Sequence, residues 1–447
     1  MTETIRSNGN WPSSASLLKA PVTVAEIELS EPATVTNISA GDMSGPGGDF
    51  YQALVLVRLH SKPLGTILID VRGGIVDTDS CAEAAWSSMG SAIRAHLACD
   101  GLPTCPPVAR NPDGALARCE KETARRVSEP PITVIVATRE RPEYLAACLD
   151  SLARQEYREY EVIVVDNDPV TGNTEGLMQH RVETNLRYAR EPQRGLGAAH
   201  NRGLRLADGQ IIAFTDDDVV TDRYWLRELA QGFQANTNVG CVTGLILPAE
   251  LQTQCQILLE AFGNYSKGYE QQVFDLDEHR PADPLFPFTA GRLGSGANMS
   301  FTRDVLREIC GFDSATGAGT VARSGDDLAA FFSVLAARYR LVYQPTALVW
   351  HHHRRTAASL THEVYGYSIG LSAYLTSALI DHPSQIGRFV RLLPAGIAYA
   401  FRPGSLRNAH RADIWPRHLA WAEVSGMAFG PIAYGISRWR ARAARRP

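Results

Sequence analysis

Ile211-Ile212-Ala213-Phe214-Thr215-Asp216-Asp217-Asp218-Val219-Val220 is the stretch around which the chain organises itself. A short apolar run preceded by Gly209 reads as a buried strand. Three carboxylates then follow without a break. Like charges at contact distance repel, and an unpaired carboxylate loses heavily on burial. Two explanations are open. The acids form a solvated turn, or a divalent cation with oxygen ligands sits at the strand end.

Working outward from this strand, residues 132–138 (ITVIVAT) and 161–166 (EVIVVD) are further continuous apolar strands, and 186–189 is a weaker one. Pro142 stands where a first helical residue would, with Leu145, Leu149 and Leu152 marking one helix face. Residues 197–207 form a second helix. Strands alternating with helices imply a mostly parallel sheet covered on both faces. Ligands of such sheets bind beyond the carboxyl ends of the strands. Polar residues gather there: Thr138-Arg139-Glu140, Asp166-Asn167-Asp168 and Asp216-Asp217-Asp218. The sequence has no GxGxxG and no GxxxxGK[ST], which excludes dinucleotide and P-loop modes of binding.

Downstream, a glycine-rich turn at 291–296 leads to Ala297-Asn298-Met299-Ser300-Phe301, then Gly311-Phe312-Asp313 and Ser324-Gly325-Asp326-Asp327-Leu328. A helix over 328–337 has its apolar face at Leu328, Phe331, Phe332 and Leu335. Asp326 and Asp327 at its start also suit the helix macrodipole. Two short strands, 341–343 and 347–350, run into His351-His352-His353. Imidazoles there are metal ligands or a solvated turn.

The flanks carry less chemistry. Of 447 residues, 45% are apolar and 21% charged, as in an ordinary globular protein, and a net charge of −4 gives no case for nucleic-acid binding. Residues 1–18 are polar and loose. Alternating strands at 21–39 and 51–71, a Gly/Pro loop at 41–48 and a helix over 81–97 (Ala85, Met89, Ile93, Leu97) make a small α+β domain. Residues 111–131 read as a linker. The boundaries fall at 1–127, 131–355 and 356–447. The eight cysteines form no CxxC pair. His96, Cys99, Cys105 and Cys119 cluster loosely in a spacing that fits no zinc pattern. Cys148 and Cys241 read as small buried hydrophobes. Reduced thiols, the absence of an apolar leader and the absence of a run of about 18 apolar residues predict a cytoplasmic chain without a spanning helix. The nearest approach to a span, 424–436, is too short. From Arg388 onward there are eleven Arg, no Lys and two acids, Asp413 and Glu423. Tyr367, Leu371 and Tyr374 share one helix face. Phe389, Val390, Leu392, Leu393, Ile397 and Tyr399 lie among the arginines. Such helices either pack on the domain or lie on an anionic membrane face.

Taken together, the opening strand with Thr138-Arg139-Glu140-Arg141-Pro142, VVDN at 164–167, RGLGAAHNRG at 194–203, FTDDD, GANMSF, GFD, GDDL and WHHH resemble a family 2 glycosyltransferase of the GT-A type over 131–355. The resemblance implies a Rossmann-like sheet, a nucleotide-diphospho-sugar donor and a divalent cation, Mn²⁺ or Mg²⁺. It implies UDP as the donor nucleotide, with dTDP and GDP open, and an acceptor that is a cell-envelope glycan or a lipid-linked molecule. Asp218 would ligate the metal, with His351 first and His353 second to complete the ligation. Asp216 and Asp217 would lie near ribose and metal. Thr138 and Asp166 would hold the base; Arg139, Glu140 and Arg194 would face the nucleotide. Asn298 and Gly311-Phe312-Asp313 would shape the sugar and acceptor side. Family members often carry Glu-Asp where this chain has Asp326-Asp327. The charge is kept, and Asp327 would be the general base, held ionised by the helix dipole. The expected location is the cytoplasmic face of the membrane, contacted by the C-terminal region.

Two rivals are weighed against this reading. A nucleotidyltransferase on a similar sheet would need a Gly-rich opening loop, and Thr138-Arg139-Glu140-Arg141 has no glycine. A catalytically inactive glycan-binding scaffold would have no need of Asp218 and Asp327, and both are present.

Overall fold

The computed structural model describes residues 18–30, 33–38, 50–72, 76–105, 119, 129–263, 265–402, 405, 408 and 415–444. The polar N-terminus up to residue 17, the 41–48 loop and most of the 111–131 linker lie outside the described residues. The chain divides into two compact units. One comprises 1–128, 247–270 and 352–356; the other comprises 129–246, 271–351 and 357–447. The C-terminal helices thus group with the sheet that precedes them, where the sequence suggested a third region beginning at 356.

The first unit holds strands β1 (Val22–Glu28), β2 (Thr34–Asn37), β3 (Phe50–Leu59) and β4 (Lys62–Arg72) in the order β2-β1-β3-β4. β1 and β3 run parallel; the other two pairings are antiparallel. His60 and Ser61 turn β3 into β4 with φ of 54° and 64°. Two consecutive left-handed residues give the backbone twist that a two-residue hairpin needs. The helix Thr78–Asp100 starts at Asp77, whose carboxylate accepts from the Ser80 amide, and stops at Gly101 in the left-handed region. Its predicted face is largely confirmed: Ala85, Ile93 and Leu97 are buried against Val55, Val57 and Ile67. Met89, the fourth expected member, sits at a kink.

The second unit is built on β5 (Ile132–Thr138), β6 (Tyr160–Asn167), β7 (Leu186–Glu191), β8 (Ile211–Asp216), β9 (Val219–Thr221), β10 (Val239–Pro248), β11 (Gln272–Phe274), β12 (Met299–Thr302) and β13 (Arg340–His351). Their order is β11-β13-β10-β12-β8-β5-β6-β7, with β9 on β13. The β8-β5-β6-β7 half is parallel; beyond it β12 runs antiparallel to both β8 and β10, and β11 and β9 run antiparallel to β13. Apolar, β-branched runs form β5, β6 and β8 because helices cover both faces there, whereas β7, at the sheet edge, is polar and half exposed. Register aligns their ends: Thr138 is opposite Asp166, and Ala137 is opposite Asp216.

The two strands expected at 341–343 and 347–350 are one continuous β13. On one edge β11 pairs with 341–343 and β9 with 349–351. Pro345 falls in the interval between them, where its missing N–H matters least.

The helices Ala357–Asp381, Ile386–Phe401 and Arg417–Ala444 complete this unit. Tyr374 is fully buried and donates to the Phe288 carbonyl at 3.2 Å. The first of these helices therefore packs on the domain. The last crosses it closely: a Cβ on Gly430 would meet Ser372 Oγ at 1.9 Å and the Ile369 carbonyl oxygen at 2.6 Å. Phe389 and Leu392 turn toward the core, whereas Val390, Leu393 and Ile397 stay exposed.

Candidate active site

The acidic strand end is a folded feature, not a solvated turn. Asp217 and Asp218 are buried, at 5% and 6% exposure. Arg141 answers both, placing Nη1 2.8 Å from Asp217 Oδ1 and 2.9 Å from Asp218 Oδ2. Thr138 donates its hydroxyl to Asp217 Oδ2 at 2.7 Å. Asp217 is thus held from two sides by the β5 end. Antiparallel pairing of β9 with β13 sets His351 opposite Val219, the residue after Asp218. His351 Nε2 lies 3.3 Å from Asp218 Oδ1. Ligand atoms of Asp216, Asp218 and His351 all fall within 4.8 Å of one another, close enough to share one ion. His353 goes elsewhere. It is buried and pairs through Nε2 with Glu260, both within the first unit, and it is not among these ligands.

The charges here are strongly perturbed. Burial, then Asp218, pushes Asp216 up to about 7. Burial raises Asp217 to about 6 against the pull of Arg141. Burial would raise Asp218 as well, but His351 and Arg141 hold it down at about 2. Burial works against the His351 imidazolium, yet Asp218 carries it up to about 9. A cluster that keeps one carboxylate half-protonated and borrows a proton on His351 is short of positive charge. A hard cation with two carboxylates and one imidazole supplies it and would release that proton.

At the β6 end Asp166 is buried; Oδ2 accepts from Tyr188 at 2.8 Å, while Oδ1 has no hydrogen-bond partner among the described residues. A buried acceptor without a donor calls for one from outside the chain. Asn167 braces the next loop: its Oδ1 accepts from the Gly195 amide at 2.9 Å, and its Nδ2 donates to the Gln193 carbonyl at 2.8 Å. Arg139 pairs with Asp168 at 3.0 Å, and Arg194 is exposed on the braced loop. Glu140 turns the other way. Its carboxylate accepts from the Val170 and Thr171 amides and the Thr171 hydroxyl, at 2.6–3.0 Å. It shapes the 168–171 turn.

Asp327 is the second residue of the helix Asp326–Ala336. Its Oδ2 accepts from the Gly296 amide at 2.9 Å and its Oδ1 from Leu328 at 2.8 Å. One residue on from Gly296, the Ala297 carbonyl accepts from Thr215, next to Asp216, at 2.9 Å. Asp327 is therefore tied to the β8 end by a short chain of contacts, and it feels the Asp216 charge. Its pKa corrects the expectation drawn from the helix dipole. Burial, then Asp326, raises it to about 7. Desolvation shifts pKa values by several units, whereas a helix end contributes less than about 1 kcal/mol at most exposed sites. Asp326 is buried with Oδ2 3.5 Å from His200 Nδ1. His200 carries no individual signal in the sequence. Only its place in the RGLGAAHNRG run marks it, as the TRERP run marks Arg141.

Two expected ligand-facing groups serve the fold instead. Asn298 is fully buried: Nδ2 donates to Leu245 and Ala347 carbonyls at 3.0 and 2.7 Å, and Oδ1 accepts from Trp225 at 2.9 Å. Gly311, at φ 71°, closes the turn after the helix Arg303–Glu308, its amide donating to the Leu306 carbonyl at 2.8 Å. Phe312 packs edge-on to Phe214 and Phe301, and Asp313 Oδ2 accepts from Ser377 and Tyr434 at 3.1 and 2.9 Å.

Residues 133–275 match the model of glycosyl transferase family 2. Over this segment, about a third of its length, the chain is similar to that family. It is 24% identical over 206 residues to a glucosyl-dolichyl phosphate glucuronosyltransferase of Haloferax volcanii, covering 44% of this chain and 58% of the relative. It is 29% identical over 161 residues to a pre-mycofactocin glycosyltransferase of Mycobacterium tuberculosis, covering 36% and 31% respectively. The chain thus spans less than two thirds of these relatives. A mannosyltransferase structure from Pyrobaculum calidifontis, in complex with GDP-Man and Mn²⁺, superposes with a TM-score of 0.43 at 19% identity, over 71% of this chain and 92% of that one. The family 2 segment includes the β5, β6 and β8 ends; His351 and Asp327 come to it from beyond residue 275.

Proposed function

We propose that the chain is an inverting glycosyltransferase that moves a sugar from a nucleoside-diphosphate donor to an acceptor hydroxyl. The carrying observation is the convergence of Asp216, Asp218 and His351 at the β8 end beside Asp327. A divalent cation, Mn²⁺ or Mg²⁺, held by those three ligands would neutralise the diphosphate as it leaves. Arg141 and Thr138 fix Asp217 so that the acidic turn keeps its shape. Asp166 Oδ1 accepts from a ring N–H of the base, which suits uracil, thymine or guanine; we take UDP as the donor nucleotide. Arg139 and Arg194 lie on the loops flanking that base. The sugar C1–O bond breaks with its electron pair leaving on the diphosphate. The acceptor oxygen bonds to C1 from the opposite face and gives its proton to an Asp327 oxygen. A base with a pKa of about 7 is half ionised at neutral pH and still strong enough to take that proton.

The acceptor we propose is lipid-linked and presented at a membrane surface. The Haloferax relative is named for a lipid-linked sugar, glucosyl-dolichyl phosphate. In this chain Trp421, Val424, Ile432, Ile436 and Trp439 form an exposed stripe along one helix. Its two tryptophans are separated by roughly 27 Å of helix at 1.5 Å per residue. Val390, Leu393 and Ile397 add a second exposed apolar face near Arg388 and Arg391. No helix among the described residues is long and apolar enough to cross a membrane. None of the eight cysteines is in a disulfide, in keeping with a reducing compartment on the cytoplasmic side.

The test is a panel of UDP-, dTDP- and GDP-sugars offered to the purified chain with and without Mn²⁺. Metal-dependent binding by calorimetry and slow donor hydrolysis support the reading. Failure to bind any nucleotide in the presence of Mn²⁺ or Mg²⁺ overturns it. Flotation with anionic vesicles tests the surface: a chain lacking 388–447 that floats like the parent would refute the membrane role.

A further inference from the structure

The N-terminal unit brings together four side chains that no spacing rule connects. His60 lies on the β3–β4 turn, His96 and Asp100 lie one turn apart at the end of the helix Thr78–Asp100, and Cys119 follows. Four atoms face a common centre: His60 Nδ1, His96 Nε2, Asp100 Oδ2 and Cys119 Sγ. All six separations are short. The two nitrogens are 3.2 Å apart, and they lie 2.9 and 3.2 Å from the oxygen. Sulfur lies 3.5 Å from each nitrogen and 3.0 Å from the oxygen.

Hydrogen bonding does not account for this figure. A ring nitrogen offers one proton or one lone pair along one direction. His60 Nδ1 has three neighbours at bonding distance, and each of the other atoms is in the same position. If both imidazoles and the thiol donated to Asp100, their three protons would crowd one oxygen while the two N–H groups faced each other. A tetrahedral ion explains the edges directly. With zinc about 2.0–2.1 Å from nitrogen or oxygen and about 2.3 Å from sulfur, ligand atoms stand about 3.3 Å apart, or about 3.6 Å to sulfur. We infer that His60, His96, Asp100 and Cys119 form a closed, structural zinc site in the N-terminal unit. This site is separate from the family 2 domain and does not depend on the function proposed for it.

Charge and surroundings agree. Two neutral imidazoles, a thiolate and a carboxylate around Zn²⁺ sum to zero, which suits side chains only 6%, 15% and 3% exposed at His60, His96 and Asp100. One thiolate with two imidazoles favours zinc over harder ions. The supporting contacts orient the ligands, as in established metal sites. The Cys119 amide donates to Asp100 Oδ1 at 2.9 Å, turning Oδ2 to the centre. Glu28 accepts from the His60 and Ser61 amides at 3.0 and 2.8 Å, holding the turn. That turn keeps two non-glycine residues at positive φ, a conformation that persists where surroundings enforce it. Four protein ligands leave no open position, so the ion would fasten hairpin, helix end and the Cys119 segment together.

The full chain, purified without chelator and dialysed, should retain one equivalent of zinc by mass spectrometry. Replacing it with Co²⁺ should give the strong visible bands of a tetrahedral centre and a near-ultraviolet thiolate-to-cobalt band. Cys119→Ser should lose the thiolate band, and His96→Ala the bound equivalent. His351→Ala should keep both, which separates this site from the acidic one. The cobalt spectrum of the unaltered chain needs no variant to fold. A parent chain that takes up no Co²⁺, or takes it up without the thiolate band, overturns the inference. So does a Cys119→Ser chain that retains zinc as the parent does.

Discussion

Replacing Arg141 with Met removes one guanidinium charge and keeps most of the side chain's apolar stem. In the folded chain that charge sits between two carboxylates, 2.8 Å from Asp217 and 2.9 Å from Asp218. Breaking a buried ion pair costs about 3–5 kcal/mol, because the remaining charge is stranded. Here the carboxylates are 6% and 7% exposed but the Arg141 side chain is 32% exposed, so water already screens one partner. The lower end, about 3 kcal/mol, is the appropriate figure. For a unit of this size that corresponds to roughly 6 °C in Tm, at about 2 °C per kcal/mol. The loss should be recoverable by a cation. Mn²⁺ at a hundred times its Kd stabilises by about 2.7 kcal/mol, which nearly matches the deficit. Thermal melts of parent and variant, metal-free and with Mn²⁺, against a NaCl control of equal ionic strength, read both quantities. The variant should melt lower without metal and gain more from Mn²⁺ than the parent does. A variant that melts with the parent in the absence of metal, or gains no more from Mn²⁺, refutes the view that Arg141 and a divalent ion answer the same acids.

Other perturbations separate the remaining roles. Asp327→Asn should lower kcat by about 10²–10⁴-fold while leaving metal-dependent donor affinity within calorimetric error; near-normal turnover would show the base to be misassigned. In the parent, kcat/KM should rise with pH through about 7 as Asp327 ionises. Stability of the metal-free chain should run the other way. Asp327 and Asp216 are raised from 3.8 to about 7, so the folded state holds more protons between those values and loses stability as pH climbs. His351, raised from 6.5 to about 9, extends the decline to alkaline pH. Urea midpoints from pH 5 to 9 should fall, with a shallower slope in Asp327→Asn. Tyr188→Phe removes the donor to Asp166 Oδ2; donor affinity should weaken by about tenfold, the worth of one hydrogen bond to a charged group, with kcat little changed. Gly430→Leu should lower Tm by several degrees through the helix crossing, since its Cβ has no room beside Ser372.

What was legible in the sequence was what depends on neighbours along the chain. Apolar β-branched runs announced β5, β6 and β8 because burial on both faces leaves few polar positions in them, while the polar edge strand β7 gave only a weak signal. Their polar ends then marked the site without further information. The rest turned on distance in space. His351 and His353 are two apart, so strand alternation would place them on one face and cannot choose between them. The choice comes from where β13 stops and from Glu260, more than ninety residues away, which takes His353. Asn298 and Asp313 show the opposite ambiguity. A polar residue within a glycosyltransferase-like run can meet a ligand or satisfy the sheet, and only the partners around it decide. Asn298 closes three internal hydrogen bonds, so its atoms are taken.

The acid pair at 326–327 makes the same point in energies. A helix N-terminus is visible in a sequence, and its field argues for an ionised carboxylate. The depth at which that helix starts is not visible, and desolvation at that depth outweighs the field of the helix end. The difference bears on the proposed chemistry: an Asp327 held at about 7 would serve as a base at neutral pH, whereas one depressed by the dipole would be too weak to draw a proton from an alcohol. The N-terminal cluster escapes the sequence for a related reason. Spacing rules look for ligands close in sequence; they group His96 and Cys119 with Cys99 and Cys105 and give no reason to add His60 or Asp100. Cys99 and Cys105 are exposed. The residues that meet are 60, 96, 100 and 119, joined by a hairpin turn and one helical turn. Recognising them needs the β3–β4 register that puts His60 at the tip, and that register is set by the packing of the whole four-stranded sheet.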